Sequence, residues 1–328
     1  MSGRRPRAIA LMAAVVAAAV AAVAGCGSSS DRALRTSLDA LSTPPPRAAA
    51  ATPPVAPVRC GNPTASLRPV GTPPSPGRMP AGSYMARILR RGRLIAGVDQ
   101  NTLLFAYFNP ATRRIEGFEV DVLRELARAI FGNPDAIELK AVTTAERIPL
   151  VQSGAVDVVA DAVTVNCERR RLVDFSSVYF AAAQRVLVPA GSHVRGLRDL
   201  RGRRVCATRS STSLARLEHA PSHPKPYPVA QRTDCLVALQ EGRVAAITSD
   251  DAILLGFKAQ DPATKIVGPR LGSEPYGMAI AKGHPEFVRF VNGVLDRMRG
   301  DGTWAAIHRR WLGPFAATPA PPRPKYTS

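Results

Sequence analysis

Hydrophobic and polar residues follow two patterns between residues 85 and 313. Short apolar runs, which predict buried strands, lie at residues 94–98, 156–160, 203–207 and 245–248. From Val120 to Ile130 the apolar residues instead recur every three or four positions, and Gly132 follows, which predicts an amphipathic helix. Strands that alternate with such helices are typical of an α/β fold.

The N-terminus carries the pattern of an export signal. Three arginines within the first seven residues precede an apolar run over residues 8–24, as in a secretory signal peptide. The small residues Val-Ala-Gly before Cys26 look like a lipobox. We therefore expect residues 1–25 to be removed and Cys26 to carry lipid at the cell membrane. A plain signal peptide and an N-terminal membrane helix are the alternatives.

Two segments are rich in proline and small residues, at residues 26–84 and 314–328. Such composition cannot bury a core, so it predicts a disordered tether before the folded region and a disordered tail after it.

The net charge of the chain bears on the classes of molecule that it could bind. The sequence has 44 Lys and Arg against 25 Asp and Glu, a formal net charge of +19. Because the arginines are spread along the chain, nucleic acid is not a predicted partner. The excess charge reflects either an Arg-rich composition or attraction to anionic lipid head groups or acidic ligands.

Four cysteines remain once Cys26 is assigned to lipid. Because an exported chain folds in an oxidising environment, we expect these cysteines to form disulfide bonds. Three pairings are possible; we favour Cys60 with Cys167 and Cys206 with Cys235. The five histidines are scattered, without the i, i+4 spacing or the cysteine partner of a metal or catalytic site. No metal, cofactor or enzymatic activity is predicted.

Several motifs then occur in order. They read RGRLIAGVD at 91–99, GFEVDV at 117–122, SGAVDVV at 153–159, ERRRLVDFS at 168–176, TSDDA at 248–252, EPYG at 274–277 and DGTW at 301–304. Together they resemble the family 3, amino-acid-specific solute-binding proteins of ABC importers. The cysteines and the tether are similar to those of actinobacterial glutamate- or glutamine-binding lipoproteins.

The resemblance implies a periplasmic binding protein-like fold, with two α/β lobes joined by two hinge strands. Lobe 1 would comprise residues 85–182 plus 279–313, and lobe 2 residues 183–278. The favoured disulfides fit this division, since Cys206 and Cys235 fall in lobe 2 and Cys60 would clip the tether to lobe 1. The chain would then be a monomeric receptor for a free amino acid.

An amino acid entering a closed cleft needs an arginine for its carboxylate and an acid for its ammonium, because both groups lose water. Arg169 matches the family arginine, and Asp250 matches the family acid. Two further cations, Arg147 and Arg209, favour glutamate or aspartate over glutamine or asparagine. The complete predicted ligand-binding set is Asp99, Asn101, Thr144, Arg147, Ala162, Thr164, Arg169, Arg209, Ser211, Thr212, Ser213 and Asp250.

The output of such a receptor has two interpretations. The chain delivers its ligand to an ABC permease, or it reports ligand occupancy to a membrane sensor protein. Lobe closure would be the signal in both cases, because hinge rotation around the ligand creates a new surface.

Overall fold

The computed structural model describes residues 58–327. The predicted signal peptide, Cys26 and the first part of the predicted tether lie outside these residues. Within the described part of the chain, no helix is long and apolar enough to cross a membrane.

Strands and helices alternate through most of the described chain. The helices are α1 (Tyr84–Arg91), α2 (Phe118–Phe131), α3 (Arg147–Gln152), α4 (Cys167–Leu172), α5 (Thr212–Glu218), α6 (Arg232–Gln240), α7 (Asp251–Gln260), α8 (Pro285–Gly300) and α9 (Thr303–Trp311). The strands are β1 (Ala65–Leu67), β2 (Leu94–Val98), β3 (Asn101–Thr102), β4 (Ala106–Asn109), β5 (Arg114–Glu116), β6 (Ile137–Ala141), β7 (Val158–Val159), β8 (Asp174–Phe175), β9 (Phe180–Pro189), β10 (Arg204–Thr208), β11 (Lys225–Val229), β12 (Ala246–Asp250), β13 (Thr264–Tyr276), β14 (Ala279–Ile280) and β15 (Lys325–Thr327).

Helix α2 shows how local sequence sets these bounds. Its apolar stripe is buried, and its last turn closes at Gly132, whose left-handed backbone lets its N–H donate to the carbonyl of Arg128. The helix begins after Gly117, which has a φ of 147°. A Cβ at Gly117 would lie 2.1 Å from the carbonyl oxygen of Phe105, so only glycine fits there.

Two five-stranded sheets form the two predicted lobes. Lobe 1 has the order β6-β2-β7-β14-β8, and lobe 2 has the order β11-β10-β12-β9-β13. In each sheet the first three strands are parallel and the fourth is antiparallel to them. The predicted α/β class with two lobes is therefore confirmed, and the two sheets share this arrangement of parallel and antiparallel strands.

Two short connections join the sheets. They run through residues 176–179, between β8 and β9, and through residues 277–278, between β13 and β14. The connections bond to each other, since the N–H of Ser176 donates to the carbonyl of Met278 at 3.0 Å and that of Tyr179 donates to Tyr276 at 2.9 Å. Because β9 already pairs with β13 at Phe180, the first connection lies before the predicted lobe boundary at residue 182.

Disulfide bonds join Cys60 with Cys167 and Cys206 with Cys235, the pairing favoured from the sequence. The Cys60–Cys167 bond fixes the segment that we call the strap, residues 60–67, to helix α4. The Cys206–Cys235 bond lies in the core of lobe 2, where both cysteines are buried.

The terminal segments differ from the disorder predicted for them. Strand β1 pairs in parallel with β15, and the Tyr326 hydroxyl donates to both carboxylate oxygens of Asp296 at 2.7 Å. Proline-rich composition excludes a core of its own, but it permits short edge strands that side chains of the folded body hold in place. The predicted tether and tail are thus ordered at residues 65–67 and 325–327.

Asn292 on α8 connects the strap to the first connection. Its side chain is fully buried. The Nδ2 atom donates to Ser66 Oγ at 2.8 Å and to the Leu67 carbonyl at 2.7 Å, and Oδ1 accepts from the N–H of Ser177 at 2.6 Å.

We expect Asn292→Ala to lower the free energy of unfolding by about 3 kcal/mol, because it leaves buried polar groups without partners. Urea denaturation measures the change. Asn133→Ala, at an exposed turn, is the control and should cost less than about 1 kcal/mol. Equal losses for the two variants would contradict the role given to Asn292.

Candidate functional site

A cleft lies where the parallel strands of both lobes end. Strands β2, β6 and β7 of lobe 1 and β10, β11 and β12 of lobe 2 are followed by the polar residues that face it. Ligands of α/β sheets bind outside the carboxyl ends of such strands. The cavity at this cleft has lining residues from both lobes.

Eight of the twelve predicted residues line this cavity: Thr144, Arg147, Ala162, Thr164, Ser211, Thr212, Ser213 and Asp250. The sequence interpretation missed four other lining residues, namely Thr208, Arg232, Ser249 and Ile253. Thr208 directly follows the predicted strand at residues 203–207, and Ser249 directly follows the one at 245–248. Their position at a strand end could have identified them.

The other four predicted residues occupy different positions. Arg169 does not line the cavity but donates to the carbonyl of Thr164, which does, and Asp99 is buried in an ion pair with Arg232. The amide of Asn101 donates to Gln231 of lobe 2 at 3.4 Å. Arg209 is exposed and does not line the cavity, so its predicted part in selecting the ligand side chain is not supported.

Arg169 joins the two lobes at the cavity edge. Its Nη1 atom donates to the Thr164 carbonyl at 2.8 Å and its Nη2 atom to the Ser210 carbonyl of lobe 2 at 3.3 Å. A guanidinium has five N–H donors, so others stay available to an anion. Burial, together with the nearby charge of Arg147, lowers the pKa of Arg169 to about 9.

Asp250 ends strand β12 on the opposite side of the cavity. Its carboxylate accepts from the Tyr276 hydroxyl at 2.7 Å and from Ser213 Oγ at 3.4 Å. Burial and the neighbouring carboxylate of Glu274 raise the pKa of Asp250 to about 7. A cation brought beside it would restore its charge.

Glu274 on β13 is a buried acid that the sequence interpretation left without a role. Its Oε2 atom accepts from the hydroxyls of Thr164 at 2.6 Å and Thr212 at 2.7 Å, one from each lobe. Its Oε1 atom accepts from Arg216 at 2.8 Å. Glu274 therefore orients two cavity hydroxyls while Arg216 balances its charge.

Arg232 is the strongest link between the lobes. It begins α6 in lobe 2, yet its Nη1 atom lies 2.6 Å from Asp99 Oδ2 and 2.5 Å from Asp161 Oδ1, both in lobe 1. It also donates to Thr102 Oγ1 at 2.9 Å. Burial opposes the charge on Arg232, but Asp161 and Asp99 outweigh burial and raise its pKa. No motif marked Arg232, because its partners are distant in sequence.

Arg147 shares Asp161 with Arg232. It is 3% exposed, donates to the Asp161 carbonyl at 2.9 Å, and lies 3.7 Å from the carboxylate. This end of the cavity therefore holds two cations, Arg147 and Arg232, against two carboxylates, Asp99 and Asp161. The predicted excess of positive charge, based on Arg147 and Arg209, is absent at this end of the described cavity.

Ala162 occupies a strained position, with a φ of 46° that non-glycine residues seldom adopt. Its N–H donates to Glu119 Oε1 at 2.7 Å, and the Tyr179 hydroxyl donates to the same oxygen. Burial and the negative charge of Asp161 raise the pKa of Glu119 to about 7. Glu119 thus holds the loop that carries Ala162 at the cavity wall.

We expect Arg232→Met to lower the free energy of unfolding by about 3 kcal/mol, because it leaves Asp99 and Asp161 without their main counter-ion. The lobes should also separate, which small-angle X-ray scattering would detect as a larger radius of gyration. Arg243→Met removes an exposed arginine of the same lobe, paired with Glu241, and should leave the free energy of unfolding almost unchanged. Equal free energies of unfolding and equal radii of gyration in the two variants would disprove the role of Arg232 in joining the lobes.

Comparison with known proteins gives one consistent relationship. The family model of bacterial extracellular solute-binding proteins, family 3, matches residues 94–314. The ABC transporter glutamine-binding protein GlnH of Bacillus subtilis (strain 168) is 32% identical over 229 residues, which cover 70% of this chain and 84% of that protein.

Two further proteins extend the comparison. The glutamate/aspartate import solute-binding protein of Salmonella typhimurium is 27% identical over 254 residues, covering 74% of this chain and 82% of that protein. The crystal structure of a solute receptor for L-cysteine from Neisseria gonorrhoeae superposes with a TM-score of 0.67 at 28% identity. The match covers 70% of this chain and 94% of that one.

Proposed function

Because this chain belongs to family 3 of the bacterial extracellular solute-binding proteins, we propose that it captures a free amino acid, preferably glutamine, between its lobes. One observation carries the proposal. Asp250 of lobe 2 lines a cavity whose walls supply hydroxyls from both lobes, and Arg169 of lobe 1 donates to the carbonyl of Thr164, one of the lining residues. The relatives compared above support the ligand class.

The chemistry of a zwitterion fits these two residues. A buried carboxylate needs charge-assisted donors, and the planar guanidinium of Arg169 offers them in parallel. A buried ammonium needs acceptors only, and Asp250 provides two carboxylate oxygens. Ser211 caps helix α5 and Thr212 and Ser213 begin it, so backbone N–H groups at the start of this helix add donors for the carboxylate.

The ligand side chain would extend toward Thr144 and Arg147. Charges are balanced there, since Arg147 and Arg232 face Asp99 and Asp161. A side-chain carboxylate would add an unpaired negative charge, whereas an amide adds none. The amide is therefore preferred to the acid. The higher identity to the glutamine-binding relative, 32% against 27% for the glutamate/aspartate-binding one, agrees with this preference.

The receptor acts as a monomer outside the cytoplasm and delivers its ligand to an ABC permease, without catalysis. Cys26 carries the lipid that holds it at the membrane, and the proline-rich residues after Cys26 serve as a tether. Membership of a family of extracellular solute-binding proteins supports the location. The sequence motif around Cys26 supports the anchor.

We expect Arg169→Ala to weaken glutamine binding by about 2–5 kcal/mol, because it removes one partner of a buried charge pair. Isothermal titration calorimetry of the purified chain measures the loss. Arg171→Ala removes the exposed arginine two positions later and should leave the affinity unchanged. Glutamate should bind the unaltered chain more weakly than glutamine. An unchanged dissociation constant in Arg169→Ala would remove this residue from the site.

Binding should weaken as the pH falls through about 7, because burial and Glu274 raise the pKa of Asp250 to about 7 in the cleft without ligand. The ligand ammonium binds the ionised carboxylate of Asp250, so protonation of that carboxylate at lower pH opposes binding. The affinity should fall about tenfold from pH 8 to pH 6.

The control for this pH dependence is Asp250→Asn, which should bind weakly with a much flatter profile. Glu119, whose pKa burial and Asp161 also raise to about 7, is present in both chains, so the difference isolates Asp250. A slope that persists in Asp250→Asn would assign the titration to another group.

A further inference from the structure

The strap, residues 60–67, crosses lobe 1 behind the helix that carries Arg169. We propose that the strap is a positioning element for Arg169, and that its disulfide, Cys60–Cys167, sets the affinity of the cleft for amino acids. This inference rests on the proposed function, because Arg169 must hold the ligand carboxylate for its position to matter.

Helix α4 lacks the packing that would hold it in place by itself. It comprises the six residues Cys167–Leu172, and each of them keeps part of its surface exposed to solvent. Isolated helices of this length are not stable in water. The orientation of α4 must therefore come from contacts outside the helix.

The strap supplies those contacts at both turns of α4. The disulfide joins Cys60 to the first residue of the helix, Cys167. Three residues later, Arg170 Nη1 donates to the Pro63 carbonyl at 2.7 Å and also to the Ala65 carbonyl. A covalent bond and a charged donor thus fix one side of the helix to the strap.

The opposite side of α4 faces the cleft. Arg169, adjacent to Arg170, donates to the Thr164 carbonyl and to the Ser210 carbonyl of lobe 2. The Asn166 side chain caps the helix by accepting from the N–H of Arg169 at 2.8 Å. Any rotation of α4 that releases Arg170 from the strap would therefore move the guanidinium of Arg169 away from the cleft.

The strap can act as an anchor because the folded body holds it independently of the disulfide. Ser66 is 1% exposed, and its hydroxyl donates to the Phe175 carbonyl at 2.7 Å while accepting from Asn292. Strand β15 pairs along β1 within the strap. The strap therefore ties the helix of Arg169 to α8 and to the end of β8, where the first connection between the lobes begins.

The second disulfide provides a matched control within the same chain. Cys206 and Cys235 join β10 to α6 in the core of lobe 2, and they are 0% and 1% exposed. That bond stabilises lobe 2, but it does not touch α4 or the strap. If both disulfides only stabilised the fold, removing either one would change the ligand affinity to the same extent. If the Cys60–Cys167 bond positions Arg169, only its removal should weaken binding strongly.

The test compares glutamine affinity by calorimetry in the full chain and in two double variants. Cys60→Ser with Cys167→Ser should raise the dissociation constant about tenfold, as for coupled neighbours of a binding residue. Cys206→Ser with Cys235→Ser should lower the melting temperature and leave the dissociation constant within about twofold. Equal effects on affinity from the two pairs would overturn the inference.

A second measurement separates positioning from general loosening. Arg169→Lys keeps the charge but loses the planar, bidentate fork. In that background, removing the Cys60–Cys167 bond should weaken binding by less than about twofold, because the group that the strap positions is already lost. A full tenfold loss in both backgrounds would show that the strap acts elsewhere.

A third variant covers the case in which the cysteine pair fails to fold. Arg170→Gln leaves the disulfide intact and removes only the charged donor to the strap, so the dissociation constant should rise about threefold. An unchanged constant in Arg170→Gln would overturn the inference. If the unaltered chain binds no amino acid, the proposed function itself fails, whereas normal binding with unaffected variants defeats only the role of the strap.

Discussion

Arg232 reaches from one lobe into the other and is buried against Asp99 and Asp161. A buried ion costs several kcal/mol unless an opposite charge lies against it. The two lobes can therefore meet only in the arrangement that pairs these groups. The positions of the cavity walls, and hence of every residue that would touch a ligand, depend on this constraint.

The same constraint explains why the two ends of the cavity differ. At one end the charges of Arg147, Arg232 and their acids cancel, so a neutral polar side chain suits it. At the other end Arg169 and Asp250 lie apart, each beside groups that do not neutralise it fully. A zwitterion supplies one opposite charge to each, so ligand binding adds a second set of ionic links across the closing lobes. The ligand therefore makes more contacts in the closed arrangement of the lobes than in an open one, and this difference in contacts favours closure.

Much of this arrangement could be predicted from sequence, but only where the information is local. Strand and helix periodicity predicted the α/β class, and the resemblance to the family implied the two lobes and the predicted positions of Arg169, Asp250 and Ser211–Ser213. Arg232 could not be predicted, because its partners are more than seventy residues away and pair with it only after the lobes fold. Arg209, predicted beside the ligand side chain, is exposed and does not line the cavity. The strands at 65–67 and 325–327 escaped prediction because their stability comes from tertiary contacts with α8.

A crystal structure of the chain grown with glutamine tests the central claim most directly, since it locates the ligand between the lobes. The account predicts the α-carboxylate on the Arg169 guanidinium, the ammonium on Asp250, and the side-chain amide beside Thr144 and Arg147. Glutamine bound with its carboxylate away from Arg169, or bound outside the cleft altogether, would contradict it.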